Sequence, residues 1–166
     1  MSFIIGIPLL IFVAILQTTV VSRMPLLNGS ADLMLVVLTA WALQPQVETT
    51  WQWSMLGGLL MDYFSGLPFG LYTISYLLLS GAGILLRRRV WRFSYLMHLL
   101  LTLAGTLIIH GLSVMIILLQ GTPLQLRYLL QRTTLPSLLL NLILTFPVYL
   151  LMKDIAQQLH TEAVEL

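Results

Sequence analysis

The composition places this chain in a lipid environment. Of its 166 residues, 58% are hydrophobic and only 8% are charged. Soluble domains carry about 25% charged residues, so the composition excludes a water-soluble globule and predicts an integral membrane protein. The chain contains no cysteine, which excludes disulfide scaffolds, thiol catalysis and cysteine-ligated metal centres. The net charge of +2 comes largely from one basic cluster, so it indicates membrane topology rather than nucleic-acid binding.

Apolar segments fill nearly the whole chain and predict an all-α bundle of about six transmembrane helices, each crossing or nearly crossing the bilayer. They cover residues 3–21, 31–43, 51–64, 71–86, 95–119 and 135–152. The first segment lacks a basic start and a cleavage site, so we expect a retained helix rather than a signal peptide. We expect residues 124–132 to lie flat in the membrane interface. Residues 1–152 then form the transmembrane domain, and residues 153–166 a short, frayed cytoplasmic tail.

Breaker residues and aromatic residues mark the ends of the short segments. Residues 44–46 end the second segment at a proline, and residues 65–70 form a tight turn after the third. Trp51 and Trp53 stand at the start of the third segment, where tryptophans commonly anchor a helix at the membrane surface. We therefore expect both indoles to act as an interfacial anchor.

Basic residues set the expected orientation. Arg87, Arg88, Arg89 and Arg92 crowd the connection between the fourth and fifth segments. Loops rich in arginine stay in the cytoplasm, so this connection is expected to be cytoplasmic. With six spans both termini are cytoplasmic too, whereas five spans would put one terminus outside. The cluster acts as a topology determinant, and it is also a candidate contact for anionic phospholipid headgroups or a cytoplasmic partner.

Asp62 is the most informative single residue. A carboxylate within a membrane segment costs about 2.5–3.5 kcal/mol at the helix centre. Gly58 lies on the same helix face, and with Gly57 it makes a small-residue surface that a neighbouring helix can approach closely. Asp62 either holds a partner group or lines a cavity, or it ends its helix by accepting hydrogen bonds from backbone N–H groups of the 65–70 turn. The second interpretation is favoured because Asp62 lies beside that turn.

The other polar residues have structural interpretations. Asp32 is expected to cap the second helix. His98 and His110 lie 12 residues apart on one helix, which favours hydrogen bonding over metal binding. Glu48 is expected to be solvated. Four residues are expected to form hydrogen bonds across helices, namely Gln17, Thr102, Thr106 and Asn141.

Motifs for common enzymes are missing from the sequence. There is no phosphate-binding glycine loop, no zinc-protease motif and no serine nucleophile elbow. The chain is therefore interpreted as a protein without catalytic residues, metal ligands or cofactors. Six glycines offer notches for close helix packing, on which we expect a partner helix to dock. They are Gly57, Gly58, Gly81, Gly83, Gly105 and Gly111.

Residues 57–71 resemble a known motif. Their pattern is similar to the Gly-x-x-x-Asp-x-x-Ser-Gly-x-x-x-Gly hairpin of the rod shape-determining MreD family. Chain length, the scarcity of soluble loops and the arginine-rich connection after the fourth segment agree with that family. The candidate structural or pocket motif comprises Gly57, Gly58, Asp62, Ser65, Gly66, Pro68 and Gly70.

The resemblance implies a non-enzymatic scaffold in the bacterial inner membrane. Members of the family bind the bitopic MreC protein in the cell-elongation machinery, which couples MreB filaments to peptidoglycan synthases. The resemblance also implies a six-helix fold similar to the substrate-binding components of energy-coupling factor vitamin transporters. A second copy of the chain is a further expected partner.

Two other functions remain as alternatives. A vitamin-binding transporter component would line its pocket with residues 62–70. Such components commonly carry an Ala-x-x-x-Ala motif on the first helix, whereas Ala14 is the one alanine in this first segment. A lipid-handling enzyme needs converging polar groups, and the sequence does not assemble them.

Overall fold

The structure, a computed structural model, describes residues 2–89 and 94–161, which are helical apart from their connections. The helices are α1 (Ser2–Thr19), α2 (Leu33–Ala42), α3 (Thr50–Phe64), α4 (Leu71–Arg89), α5 (Ser94–Leu119), α6 (Leu126–Leu129) and α7 (Leu135–Thr161). A 3₁₀ turn, Val21–Arg23, follows α1, and a π-helical turn, Leu130–Thr134, joins α6 to α7. The predicted all-α class is confirmed for the described residues, which contain no strand.

Helix α2 forms the centre of the bundle. Nine of its ten residues are buried, and it packs against α1, α3, α4, α5 and α7. A ten-residue helix rises about 15 Å, which is half of the hydrocarbon thickness of about 30 Å. A short helix that is apolar on every side is typical of a protein interior. Helix α2 is therefore a core helix enclosed by the others.

Three stretches are long and apolar enough to cross a membrane. They are Gly6–Arg23, Ser94–Leu119 and Leu126–Leu159. Leu33–Ala42 and Leu71–Arg87 are shorter apolar helices. The predicted membrane-spanning character is thus supported for three helices, while crossing by all six segments stays a prediction. Irregular backbone beside a short helix is compatible with membrane depth where protein covers it.

Several predicted boundaries differ in the structure. Helix α4 continues to Arg89, so the first three arginines of the cluster end a helix rather than form a loop. The stretch 124–132 does not form a separate element, because α6 and the π-helical turn run directly into α7. Helix α7 reaches Thr161, and Ala156 within it is fully buried. The frayed-tail prediction is therefore wrong for residues 153–161, and residues 162–166 lie outside the described part.

The two tryptophans of α3 have opposite environments. Trp51 is 56% exposed, whereas Trp53 is 0% exposed and stacks on Trp41 of α2 with ring centroids 4.1 Å apart. An added Cβ at Gly6 would overlap the Trp53 indole, so α1 closes over this pair through a glycine. The prediction that Trp53 anchors the helix in the interface is wrong, because its ring fills the core.

Candidate functional site

The Asp62 carboxylate joins α3 to the beginning of α4. One oxygen accepts a hydrogen bond from the Tyr72 N–H at 2.8 Å. The other accepts from the Thr73 N–H at 3.2 Å and from the Thr73 hydroxyl at 2.6 Å. The first N–H groups of a helix lack partners within the helix and attract negative charge. Asp62, only 3% exposed, thus satisfies the open donors of α4. Its donors belong to α4 rather than to the 65–70 turn.

The glycines before Asp62 permit close packing within the chain itself. An added Cβ at Gly58 would overlap the Thr73 backbone, and one at Gly57 would lie 2.9 Å from Leu38 Cδ1. Gly83 and Gly105 face α2 in the same way, with contacts at 2.8 Å to Ala42 and Leu35 respectively. Among the six predicted notches, Gly81 and Gly111 face open space, because a Cβ added at either would meet no heavy atom of another described segment within 4 Å. The prediction that a partner helix docks on Gly57 and Gly58 is therefore wrong, because α2 and α4 of the same chain already occupy that face.

The turn of residues 65–70 connects the two helices and projects an aromatic side chain. The Ser65 hydroxyl lies 3.4 Å from the Asp62 carbonyl oxygen. Gly70 has φ of +101°, a conformation that favours glycine. Gly66 and Pro68 are exposed. Phe69 is 71% exposed, so the tip of this hairpin presents an aromatic ring outward.

A second polar cluster surrounds Asp32. Its carboxylate caps α2 by accepting from the Leu35 N–H at 2.9 Å, which confirms the predicted cap. The Tyr76 hydroxyl lies 2.9 Å from both carboxylate oxygens. The Asp32 N–H donates to Asn141 Oδ1 at 2.6 Å, and Asn141 Nδ2 donates to Thr106 Oγ1 at 2.8 Å. These bonds link α2, α4, α5 and α7 at one point.

Gln17 holds the backbone just before α2. Its Nε2 donates to the Ala31 carbonyl at 2.8 Å, and its Oε1 accepts from the Leu33 N–H at 2.8 Å. The predicted cross-helix bonding is thus confirmed for Gln17, Thr106 and Asn141. The Thr102 hydroxyl is buried without a hydrogen-bond partner among the described residues.

A cavity of about 260 Å³ lies beside this cluster. The cavity lies at the end of the bundle where α1, α3 and α5 end and where α2, α4 and α7 begin. We name this end of the bundle the cavity end. Its polar lining includes Asp32, Thr106, Ser113 and Asn141, and its apolar lining comes mainly from α5 and the residues that follow it. From the predicted stretch 62–70 the lining contains Leu67, while the Asp62 carboxylate is bonded to α4. Sequence reasoning placed several of these polar residues singly but did not bring them together.

The two histidines of α5 are hydrogen-bonded. His98 Nε2 lies 3.0 Å from the Val36 carbonyl oxygen, and His110 Nδ1 lies 3.1 Å from Thr134 Oγ1. Within residues 2–89 and 94–161, no group of three or more His, Cys, Asp or Glu side chains is placed to hold a metal ion. The hydrogen-bonding interpretation of both histidines is confirmed.

The opposite end of the bundle, which we name the arginine end, contains residues 43–49 and Arg87. The Arg87 guanidinium donates to the Gln44 carbonyl at 2.9 Å and to the Val47 carbonyl at 2.6 Å. Arg87 thus satisfies irregular backbone beside α2, a role that the sequence did not indicate. Arg88 and Arg89 are the last residues of α4, and Arg92 lies outside the described residues. Glu48 is exposed, as predicted.

Comparisons with known proteins do not identify a relative. No family model, no curated protein and no solved structure matches this chain.

Proposed function

We propose that this chain is a non-enzymatic scaffold of the bacterial cell-elongation machinery, acting in the inner membrane as MreD proteins do. It binds a bitopic protein of the MreC type, and it acts with MreB filaments and peptidoglycan synthases directly or through that partner. This proposal includes two further contacts, a second copy of the chain and phospholipids at the arginine end.

The observation that supports this proposal most strongly is the use of the hairpin motif as an architectural element. The motif carboxylate, Asp62, already accepts three hydrogen bonds from α4. Gly58 lies against the backbone of Thr73 in the same helix. The residues that carry the resemblance therefore fix the angle between two helices, which is what a scaffold needs from them.

The exterior of the bundle also favours a function through lateral contacts. Large apolar side chains on the long helices are exposed, for example Phe12 at 57% and Ile143 at 59%. At the hairpin tip, Tyr63 is 78% exposed and Phe69 is 71% exposed. Lipid or a partner helix covers such surfaces in a membrane, where association depends on packing rather than on a hydrophobic driving force.

Affinity purification tests the scaffold proposal. The tagged chain, extracted in mild detergent, is expected to retain a bitopic protein with a large periplasmic domain, and depletion of the chain is expected to round the cells. A multi-pass protein of similar size with the same tag is the control. Rod-shaped depleted cells without such a co-purified partner would contradict the proposal.

The absence of cysteine permits a direct test of orientation. Glu48→Cys places one thiol at the arginine end, and Phe69→Cys places one at the cavity end, both at exposed positions. A membrane-impermeant maleimide applied to spheroplasts is expected to label Phe69→Cys and to label Glu48→Cys only after permeabilisation. The reverse pattern would overturn the expected cytoplasmic position of the arginines.

A second candidate function is a substrate-binding component of a small-molecule transporter. The observation that favours it is the cavity of about 260 Å³ with its buried polar lining. This function predicts co-purification with an ATP-hydrolysing module instead of a bitopic partner. It also predicts uptake of a vitamin-type compound that is lost when the gene is deleted.

A further inference from the structure

We propose that the cavity binds a small organic ammonium ion with an apolar body and that Asp32 is the counter-ion of its ammonium group. Nothing in the scaffold function requires such a site. The ammonium ion binds in the cavity whether or not the protein transports it.

The charge of the cavity determines the sign of the ligand. Asp32 is the one Asp, Glu, Lys or Arg side chain that lines it within the described part of the chain. A carboxylate removed from bulk water is costly without a cationic partner. A bound ammonium ion supplies that partner, whereas a carboxylate or phosphate ligand would be repelled by Asp32, and the described lining holds no lysine or arginine to offset the repulsion.

Asp32 retains hydrogen-bonding capacity for a ligand. Its Oδ1 accepts from the Leu35 N–H and lies 2.9 Å from the Tyr76 hydroxyl, whereas Oδ2 has the Tyr76 hydroxyl as its one partner within the described part of the chain. Each carboxylate oxygen accepts about two hydrogen bonds. Asp32 is only partly buried and lines the cavity, so Oδ2 is available to an N–H donor inside it.

The surrounding hydrogen bonds hold Asp32 in place before any ligand arrives. Asn141 accepts from the Asp32 N–H, and Gln17 bonds to the residues on either side of Asp32. Asn141 and Gln17 are 1% and 5% exposed, so these bonds are protected from water. A site whose geometry exists in advance loses less conformational entropy on binding.

The walls and the volume define the rest of the ligand. Ile109, Val114 and Ile117 of α5, together with Leu124 after it, contribute apolar surface to the cavity. Its volume of about 260 Å³ is slightly below the roughly 300–1,000 Å³ found for ligand pockets. A small molecule with one apolar group fits this space, whereas a two-chain lipid does not.

The π-helical turn is a second sign of a binding region. Thr133 and Thr134 of this turn line the cavity, and π-helical turns occur frequently at functional sites. The turn is also held to the 24–31 loop, because the Asn28 N–H donates to the Arg132 carbonyl at 2.9 Å. This part of the cavity wall is thereby fixed as well.

Binding of three probes of matched shape tests the charge preference. The full-length chain in lipid nanodiscs is titrated calorimetrically at neutral pH with 2-phenylethylammonium, 2-phenylethanol and 3-phenylpropanoate, with empty nanodiscs as the blank. We expect the ammonium ion to bind at least 10-fold more tightly than the alcohol, and the carboxylate not to bind. Equal binding of the three probes, or no binding of the ammonium ion, would overturn the proposal.

Two variants locate the site. Asp32→Asn removes the charge but keeps a good helix cap, so the chain is expected to fold. It should weaken ammonium binding at least 10-fold and leave 2-phenylethanol binding unchanged. Asp154→Asn is the matched control, because Asp154 is exposed on α7 and does not line the cavity. Unchanged ammonium affinity in Asp32→Asn would contradict the role of Asp32.

Ser113→Leu separates the cavity from the carboxylate. The Ser113 hydroxyl lines the cavity and donates to Ile109 O in its own helix, so a larger apolar side chain reduces the space without breaking a link between helices. Ammonium binding should fall at least 10-fold although Asp32 is intact. Wild-type affinity in this variant would place the ligand elsewhere. Co-purification of a bitopic partner should persist in both variants, so failure of the binding site and failure of the scaffold proposal are distinguishable.

Discussion

At the arginine end, aromatic stacking and one guanidinium close the bundle, whereas at the cavity end hydrogen bonds surround an open volume. Trp41 and Trp53 fill the first region with stacked indoles, and Arg87 satisfies the carbonyls of the adjoining loop. In the second region Asp32 and Asn141 join four helices but leave a cavity of about 260 Å³. The same helices are therefore joined by dense packing at one end and by directional bonds at the other. The first arrangement suits stability, and the second suits binding.

The largest expected effect is at the arginine end. Trp53→Ala removes a fully buried indole from its stack with Trp41, so it should lower the free energy of unfolding by about 3–5 kcal/mol. Denaturant unfolding in detergent micelles, followed by circular dichroism, measures this loss. Trp51→Ala is the matched control, and its effect should be within about 0.5 kcal/mol. Equal losses in the two variants would contradict the placement of Trp53 in the core.

Replacement of the motif carboxylate tests the bonds at the cavity end. Asp62→Asn keeps the size of the side chain but places an amide NH₂ group against an N–H donor of α4. The change should therefore lower the free energy of unfolding by about 3 kcal/mol. The same unfolding measurement applies, with the exposed Asp154→Asn as control. If Asp62→Asn is as stable as the control, the carboxylate is not what holds α4.

Loss of the guanidinium tests the other connection of the arginine end. Arg87→Met keeps a long, unbranched aliphatic side chain but leaves the Gln44 and Val47 carbonyls without their charged donor. Hydrogen bonds to charged groups contribute about 1.5–3 kcal/mol, so a loss of that size in unfolding free energy is expected. Arg132→Met removes an exposed arginine at the cavity end and should change stability little. A loss no larger than that of Arg132→Met would show that the loop does not depend on Arg87.

A pair of glycine variants tests the contact between α3 and α4. Gly58→Ala brings a Cβ into the backbone of Thr73, so overpacking should cost about 1–3 kcal/mol. Gly81→Ala meets no atom within 4 Å and should stabilise α4 by about 0.5–1 kcal/mol, because alanine has the higher helix propensity. Thermal unfolding measured by loss of circular dichroism compares the two variants. Stabilisation by both changes would mean that the helices are farther apart than the structure places them.

Much of the helix order follows from the sequence because each apolar run ends at residues that disfavour a helix. The predicted segment 51–64 matches Thr50–Phe64 within one residue, and the predicted cap at Asp32 is confirmed. The extension of α7 to Thr161 was missed, although Ile155, Ala156 and Leu159 share the spacing of an apolar helix face. The polar residues after position 152 favour a frayed tail and outweigh this short apolar pattern.

The packing between distant segments cannot be predicted from local sequence patterns. A short apolar run such as Leu33–Ala42 is consistent with either a short span or a buried core helix, and only its neighbours distinguish them. Trp51 and Trp53 are chemically identical and two residues apart, so composition does not say which one faces inward. The sequence gives Gln17, Asp32 and Asn141 separate roles, because nothing local shows that they converge.

The smallest expected effect is the clearest distinction between the two ends. Ser113→Leu adds an apolar side chain to the cavity wall and removes a hydroxyl that bonds only to its own helix. If the cavity is open, the added side chain should leave the unfolding free energy unchanged or raise it by about 0.5–1 kcal/mol, as cavity filling commonly does. Denaturant unfolding of Ser113→Leu beside Gly58→Ala measures both changes in the same bundle. Destabilisation of Ser113→Leu by more than about 1 kcal/mol would indicate overpacking, and hence that the helices at the cavity end meet as closely as the indoles at the arginine end.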